Sequence, residues 1–135
     1  MSIYIMDANS LLASLRNEPG GSVADGLLAD PNADCLAHSV NLCEIFYDTL
    51  RQTDLVTAQL TISDLLALGL TERQDMDTAF WQLIGQLKVS PGKISLADCF
   101  ALALAIRTGG TLVTSDHHEF DVIVPLGLCP ILFIR

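Results

Sequence analysis

SLADCFALALAIRTGGTLVTSD, residues 95–116, decides the fold. Ser95 precedes an apolar run and can cap a helix whose end is marked by Gly109. TLVT at 111–114 then reads as a strand, and Asp116 stands just beyond its carboxyl end. From Leu96 to Ile106 every residue except Asp98 is apolar, so the helix must be covered nearly all round. A buried helix feeding a short strand is the building unit of an α/β fold.

The flanking segments repeat that alternation. Residues 2–6 (SIYIM) read as a strand, and 9–16 as a short helix that stops before the Glu-Pro-Gly-Gly turn at 18–21. Ser22 can cap a helix over 22–30 that ends before Pro31, and CLAHSV at 35–40 is a weak second strand. Apolar residues at 42, 45, 46 and 50 give residues 39–52 helical spacing. Further helices are expected over 57–68 and 74–87, the latter with Met76, Phe80, Leu83, Ile84 and Leu87 on one face. The loop at 88–93 holds both lysines of the chain, DHHEF is a turn or short helix, and PILFIR at 130–135 is a closing strand. Strands separated by helices, with few hairpin signals, predict an α/β fold with a mostly parallel central sheet flanked by helices. The 135 residues suit a single domain, 1–135, burying roughly two-thirds of the unfolded surface.

Composition narrows the function. No window reaches the ~18 uncharged apolar residues of a membrane span, and the N-terminus lacks the pattern of a signal peptide. The expectation is a soluble, cytoplasmic protein without membrane contact. Cys35, Cys43, Cys99 and Cys129 form no C-x-x-C pair, and read as small buried hydrophobes in a reducing compartment. A net charge of −9 argues against a protein that coats nucleic acid through a basic surface. It leaves room for a bound cation that bridges to phosphate, or for a basic protein partner.

Four carboxylates stand apart from the acids of loops and polar faces. Asp7 follows the first strand as Asp116 follows TLVT, and in parallel sheets ligands bind outside the carboxyl ends of strands. Each can equally be a helix N-cap. Asp98 lies three residues after Ser95, a capping-box spacing, yet is the sole charge of a buried helix. Glu44 is the only charge between Ser39 and Tyr47, and can alternatively belong to a solvated stripe with Asn41, Asp48 and Arg51. Four negative charges brought together would raise one another's pKa values unless a cation neutralised them. Oxygen-only ligation favours Mg²⁺ or Mn²⁺ over zinc or copper.

YIMDANSLL, NLCEIFYD and ISLADCFALALAIRTGGTLVTSDHHEF, in that order, resemble the PIN-domain family, especially its small VapC-type ribonuclease toxins, over about residues 3–134. The resemblance implies that Asp7, Glu44, Asp98 and Asp116 surround a metal ion, with Asn9 and Thr114 as supporting positions. It further implies hydrolysis of RNA to leave a 5′-phosphate and a 3′-hydroxyl, and a small VapB-like antitoxin as partner; the high apolar content makes a homodimer the expectation. Residues 53–94 carry no distinctive motif. The alternative is a non-catalytic PIN-like module that binds protein. A receiver domain would want two adjacent acids where this chain has MDAN, and a D-x-D phosphatase would want an acid in place of Asn9. His117 and His118 follow Asp116 directly, but surface or turn roles are expected for both. Lys88 and Lys93 are candidates for backbone phosphate contacts or simply solvated.

Overall fold

Ile5 and Met6, neighbours on the first strand, point to opposite sides of the sheet and belong to two different cores. That period-two alternation organises the molecule. The computed structural model describes residues 1–135. In chain order its elements are β1 (Ser2–Met6), α1 (Ala8–Leu15), α2 (Gly21–Ala29), β2 (Ala33–His38), α3 (Ser39–Gln52), α4 (Leu55–Ala67), β3 (Thr71–Arg73), α5 (Thr78–Val89), α6 (Leu96–Thr108), β4 (Thr111–Thr114), α7 (His117–Phe120) and β5 (Ile131–Phe133), with a 3₁₀ turn at Val124–Leu126.

The five strands lie in the order β3-β2-β1-β4-β5, and every pairing is parallel. Ile5, Leu36 and Leu112 pack under α5 and α6, where Phe80, Ile84, Leu87 and the run Cys99–Ala105 are buried. Met6, Cys35, Ala37 and Val113 pack on the other face against α1, α2, α3 and α4. The result is a sheet between two helical layers, the α/β architecture expected. From β1 the chain winds outward through β2 to β3, then returns to place β4 on the opposite side of β1. The winding direction thus switches between β1 and β4, and the carboxyl ends of the strands at such a switch are where parallel sheets bind ligands.

Several elements depart from expectation. β3 was not anticipated, because Thr-Glu-Arg is a polar, three-residue edge strand with no alternating pattern; it pairs Thr71, Glu72 and Arg73 with Leu36, Ala37 and His38. The helix expected from residue 74 starts at Thr78, since Asp77 caps it by accepting the Phe80 N–H at 3.0 Å. Met76 therefore lies outside the helix and is exposed rather than sharing the face of Phe80 and Ile84. Cys43 sits on the outer side of α3 and is exposed, whereas Cys35 and Cys99 are buried as expected. No helix is long and apolar enough to cross a membrane.

Candidate metal centre

Asp7 ends β1 and starts α1. Its Oδ1 accepts the Ser10 N–H at 2.8 Å, the Ser10 hydroxyl donates to the Asp7 carbonyl at 3.0 Å, and its own N–H donates to the Val113 carbonyl at 3.2 Å. One oxygen is thus a helix cap. The other, Oδ2, is buried and has no hydrogen-bond partner. Burial pushes the Asp7 carboxyl up to about 6, against the opposing pull of the nearby Thr114 hydroxyl and of Ser10, with the Asp116 charge adding to the rise.

Asp116 repeats the arrangement beyond β4. Its Oδ1 accepts the Glu119 N–H at 3.0 Å and so caps α7, while Oδ2 accepts from the Asn9 side-chain amide at 3.4 Å. Thr114, fully buried, accepts the Asp116 N–H on its hydroxyl at 3.0 Å. Asn9 and Thr114 therefore both bond to Asp116, and the Thr114 hydroxyl also lies near Asp7.

Asp98, in the first turn of α6, is 8% exposed. Burial drives its carboxyl up to about 7, reinforced by the charges of Asp7, Glu119 and Asp116, with Ser95 opposing. Its N–H donates to Ser95 Oγ at 3.1 Å, the first half of a capping box. The second half is made by another residue: the Ser95 N–H donates to Glu119 Oε2 at 3.0 Å. Asp98, Asp116 and Glu119 each place a carboxylate oxygen within 4.8 Å of the others.

Asp7 lies outside this triplet, and so does Glu44. Glu44 is half-buried on α3, beside Ala8, Asn9 and Leu12 of α1 in a cleft of about 240 Å³. Burial raises its carboxyl, and Asn41 opposes the rise by donating to Oε1 at 3.4 Å. The same Asn41 amide donates to the Ala97 carbonyl at 3.1 Å, linking α3 to the residue before Asp98. Asn41 is not part of a solvated stripe: it is fully buried, and its Oδ1 has no partner.

Sequence reasoning missed Glu119 and Asn41. Asp-His-His-Glu carries a capping-box spacing of its own, and nothing in it signals that the Glu119 carboxylate reaches Ser95. Asn41 lies one helical turn before Glu44 on the same side, a spacing shared by exposed and buried faces alike. His117 points away, its ring bonded to Asp121 Oδ1 and the Arg135 carbonyl, each at 2.7 Å, and stacked on Phe133. His118 is exposed. Lys88 spends its ammonium on the Ile94 carbonyl at 2.8 Å, and Lys93 is exposed.

A parallel α/β sheet with acids gathered at its switch point defines a class, and the comparisons agree with it. The PIN domain model matches residues 4–123, and the chain belongs to that family. Similar solved structures include the DNA-bound VapBC of Salmonella typhimurium (16% identity, TM-score 0.74, 100% of both chains). VapBC-1 of nontypeable Haemophilus influenzae is alike at 17% identity and TM-score 0.73, over 98% of both chains. VapC20 of Mycobacterium tuberculosis, a sarcin-ricin loop cleaving toxin, shares 16% identity at TM-score 0.68, over 90% of this chain and 95% of that one. No curated relative matches the sequence.

Proposed function

We propose that the protein is a Mg²⁺- or Mn²⁺-dependent endoribonuclease, the toxin of a toxin-antitoxin pair, acting in the cytoplasm. The observation that carries this reading is Asp7 Oδ2, a buried oxygen that makes no hydrogen bond, on a carboxyl whose burial is offset only by Ser10 and the nearby Thr114 hydroxyl, at the sheet's switch point and within electrostatic reach of Asp98 and Asp116. A lone buried anionic oxygen is costly, and a hard divalent cation is the partner that an all-oxygen donor set fits. Asp7, Asp98 and Asp116 would hold the ion, with Glu44 acting from the α3 side through water or at a second ion.

A divalent ion supplies Lewis acidity toward a phosphodiester, a more acidic water, and charge stabilisation for in-line displacement. The protein's share is orientation. Asp7 and Asp116 are each fixed through their capping oxygen, and Thr114 and Asn9 hold Asp116 from two sides. No side-chain general base is needed. A small VapB-like antitoxin with a basic segment suits the −9 chain, and a homodimer accords with its apolar content. Cleavage of a mixed RNA pool, with Mg²⁺ or Mn²⁺, by wild type but not by folded Asp7→Asn or Asp98→Asn supports the reading. Absence of cleavage by wild type with either ion, alongside retained binding of an antitoxin encoded next to it, would replace it with the non-catalytic binding module.

A further inference from the structure

The S-x-x-D pattern at Ser95–Asp98 ordinarily closes on itself: the serine hydroxyl takes the Asp N–H, and the Asp carboxylate takes the serine N–H. Only the first bond is made within α6. The second is supplied from α7, where Glu119 Oε2 accepts the Ser95 N–H at 3.0 Å. We infer that Glu119 is a positioning residue that occupies the Ser95 amide and thereby keeps the Asp98 carboxylate off its own helix cap and directed to the acid cluster.

The reasoning is one of competition for a single donor. The first backbone N–H groups of a helix have no internal acceptor, and an aspartate at the third position is within reach of the Ser95 N–H. Bonded there, Asp98 would be a satisfied structural cap and would offer less to a cation. Glu119 is placed to win that donor because α7 is itself pinned: Asp116 Oδ1 caps it through the Glu119 N–H. Asp116 thus fixes the backbone of the residue whose side chain frees Asp98, and the capping of two helices is wired to the geometry of the site.

This inference rests on the metal-site reading above, so its test separates the two. Crystal structures of metal-free wild type and Glu119→Ala are compared, and Mn²⁺ affinity is measured by calorimetry for wild type, Glu119→Ala and Glu119→Gln. The expected result is that in Glu119→Ala the Asp98 side chain turns back onto the Ser95 N–H, and that Mn²⁺ affinity falls by roughly 10- to 100-fold, the range of a lost outer-shell partner. Glu119→Gln keeps an acceptor for Ser95 while losing the charge, and should weaken binding distinctly less than the alanine change. Equal losses in the two variants would make Glu119 important through its charge, as a ligand, and overturn the positioning role. An Asp98 that stays in place in Glu119→Ala would overturn it as well. If wild type takes up no Mn²⁺, the nuclease reading falls, and the Asp98 position in the variant crystal still decides the competition for Ser95.

Discussion

Replacing Asp7 by Asn should make the metal-free protein more stable. Asp7 is 0% exposed, and its carboxyl is raised from 3.8 to about 6 chiefly by burial. A raised folded-state pKa means that the native state binds more protons than the unfolded chain between those two values, so stability falls as pH rises through that window. At ~1.4 kcal/mol per unit, ionising Asp7 costs the fold up to about 3 kcal/mol above pH ~6. Asparagine caps a helix as well as aspartate does, so the bond to the Ser10 N–H is kept. Urea denaturation in a chelator at about pH 7.5 should show Asp7→Asn ahead by roughly 2–3 kcal/mol, or close to 10 °C in Tm for a chain of this size. Near pH 3.5 the gap should close, because there the wild-type carboxyl is mostly protonated in both states. Adding Mn²⁺ should then raise wild type by about 2.7 kcal/mol at 100 times Kd and leave the variant flat. A variant less stable than wild type by the same amount at every pH would refute the reasoning, since Asp7 would then be only a cap whose anionic form the fold prefers.

Other perturbations reach different links. Converting Asp98 and Asp116 together to Asn should abolish Mn²⁺ uptake while leaving the circular dichroism spectrum intact; uptake persisting at wild-type affinity would place the ion elsewhere. His38, whose Nδ1 accepts the Val40 N–H at 3.1 Å and whose ring packs on Phe80 and Phe100, caps the helix that carries Glu44. His38→Ala should therefore cost at least ~1 kcal/mol in urea, with His38→Asn recovering the capping share. Gly20 has φ +85°, and a Cβ there would meet the Ile134 carbonyl oxygen at 2.3 Å. Gly20→Ala should lower the urea midpoint by the equivalent of ~2 kcal/mol or more, because backbone strain and a backbone clash add.

Legibility followed periodicity. β4 and α3 have the bounds the pattern predicts, because Gly109–Gly110 punctuate one and apolar spacing runs the length of the other. β3 left no trace, since an edge strand of Thr, Glu and Arg owes its conformation to backbone pairing with β2 rather than to side-chain burial. Cys43 was misplaced because cysteine reads as apolar on either side of a helix. That Asp7 and Asp116 stand at the ends of strands was readable; that those strands are neighbours depends on the reversal of winding, which no local pattern encodes. Asn41 and the Glu119–Ser95 bond belong to tertiary packing alone, joining α3 to α6 and α7 to α6.

The choice between cap and ligand, posed for each acid by the sequence, dissolves once the two oxygens of a carboxylate are considered separately. For Asp7 and Asp116, Oδ1 does the capping. Were capping the whole role of Asp7, asparagine would serve equally and spare the fold a buried charge, so the acid itself is left unexplained by helix chemistry. Asp98 presents the same residue of explanation in another form: its helix position equips it to close a capping box, and Glu119 closes the box instead. Burial raises both groups, and the Asp7 charge raises Asp98 further. A buried oxygen without a hydrogen bond, like charges brought together, and a raised Asp98 carboxyl beside them all lower stability in the absence of a cation and favour binding in its presence. The divalent-ion reading accounts for all three with one species.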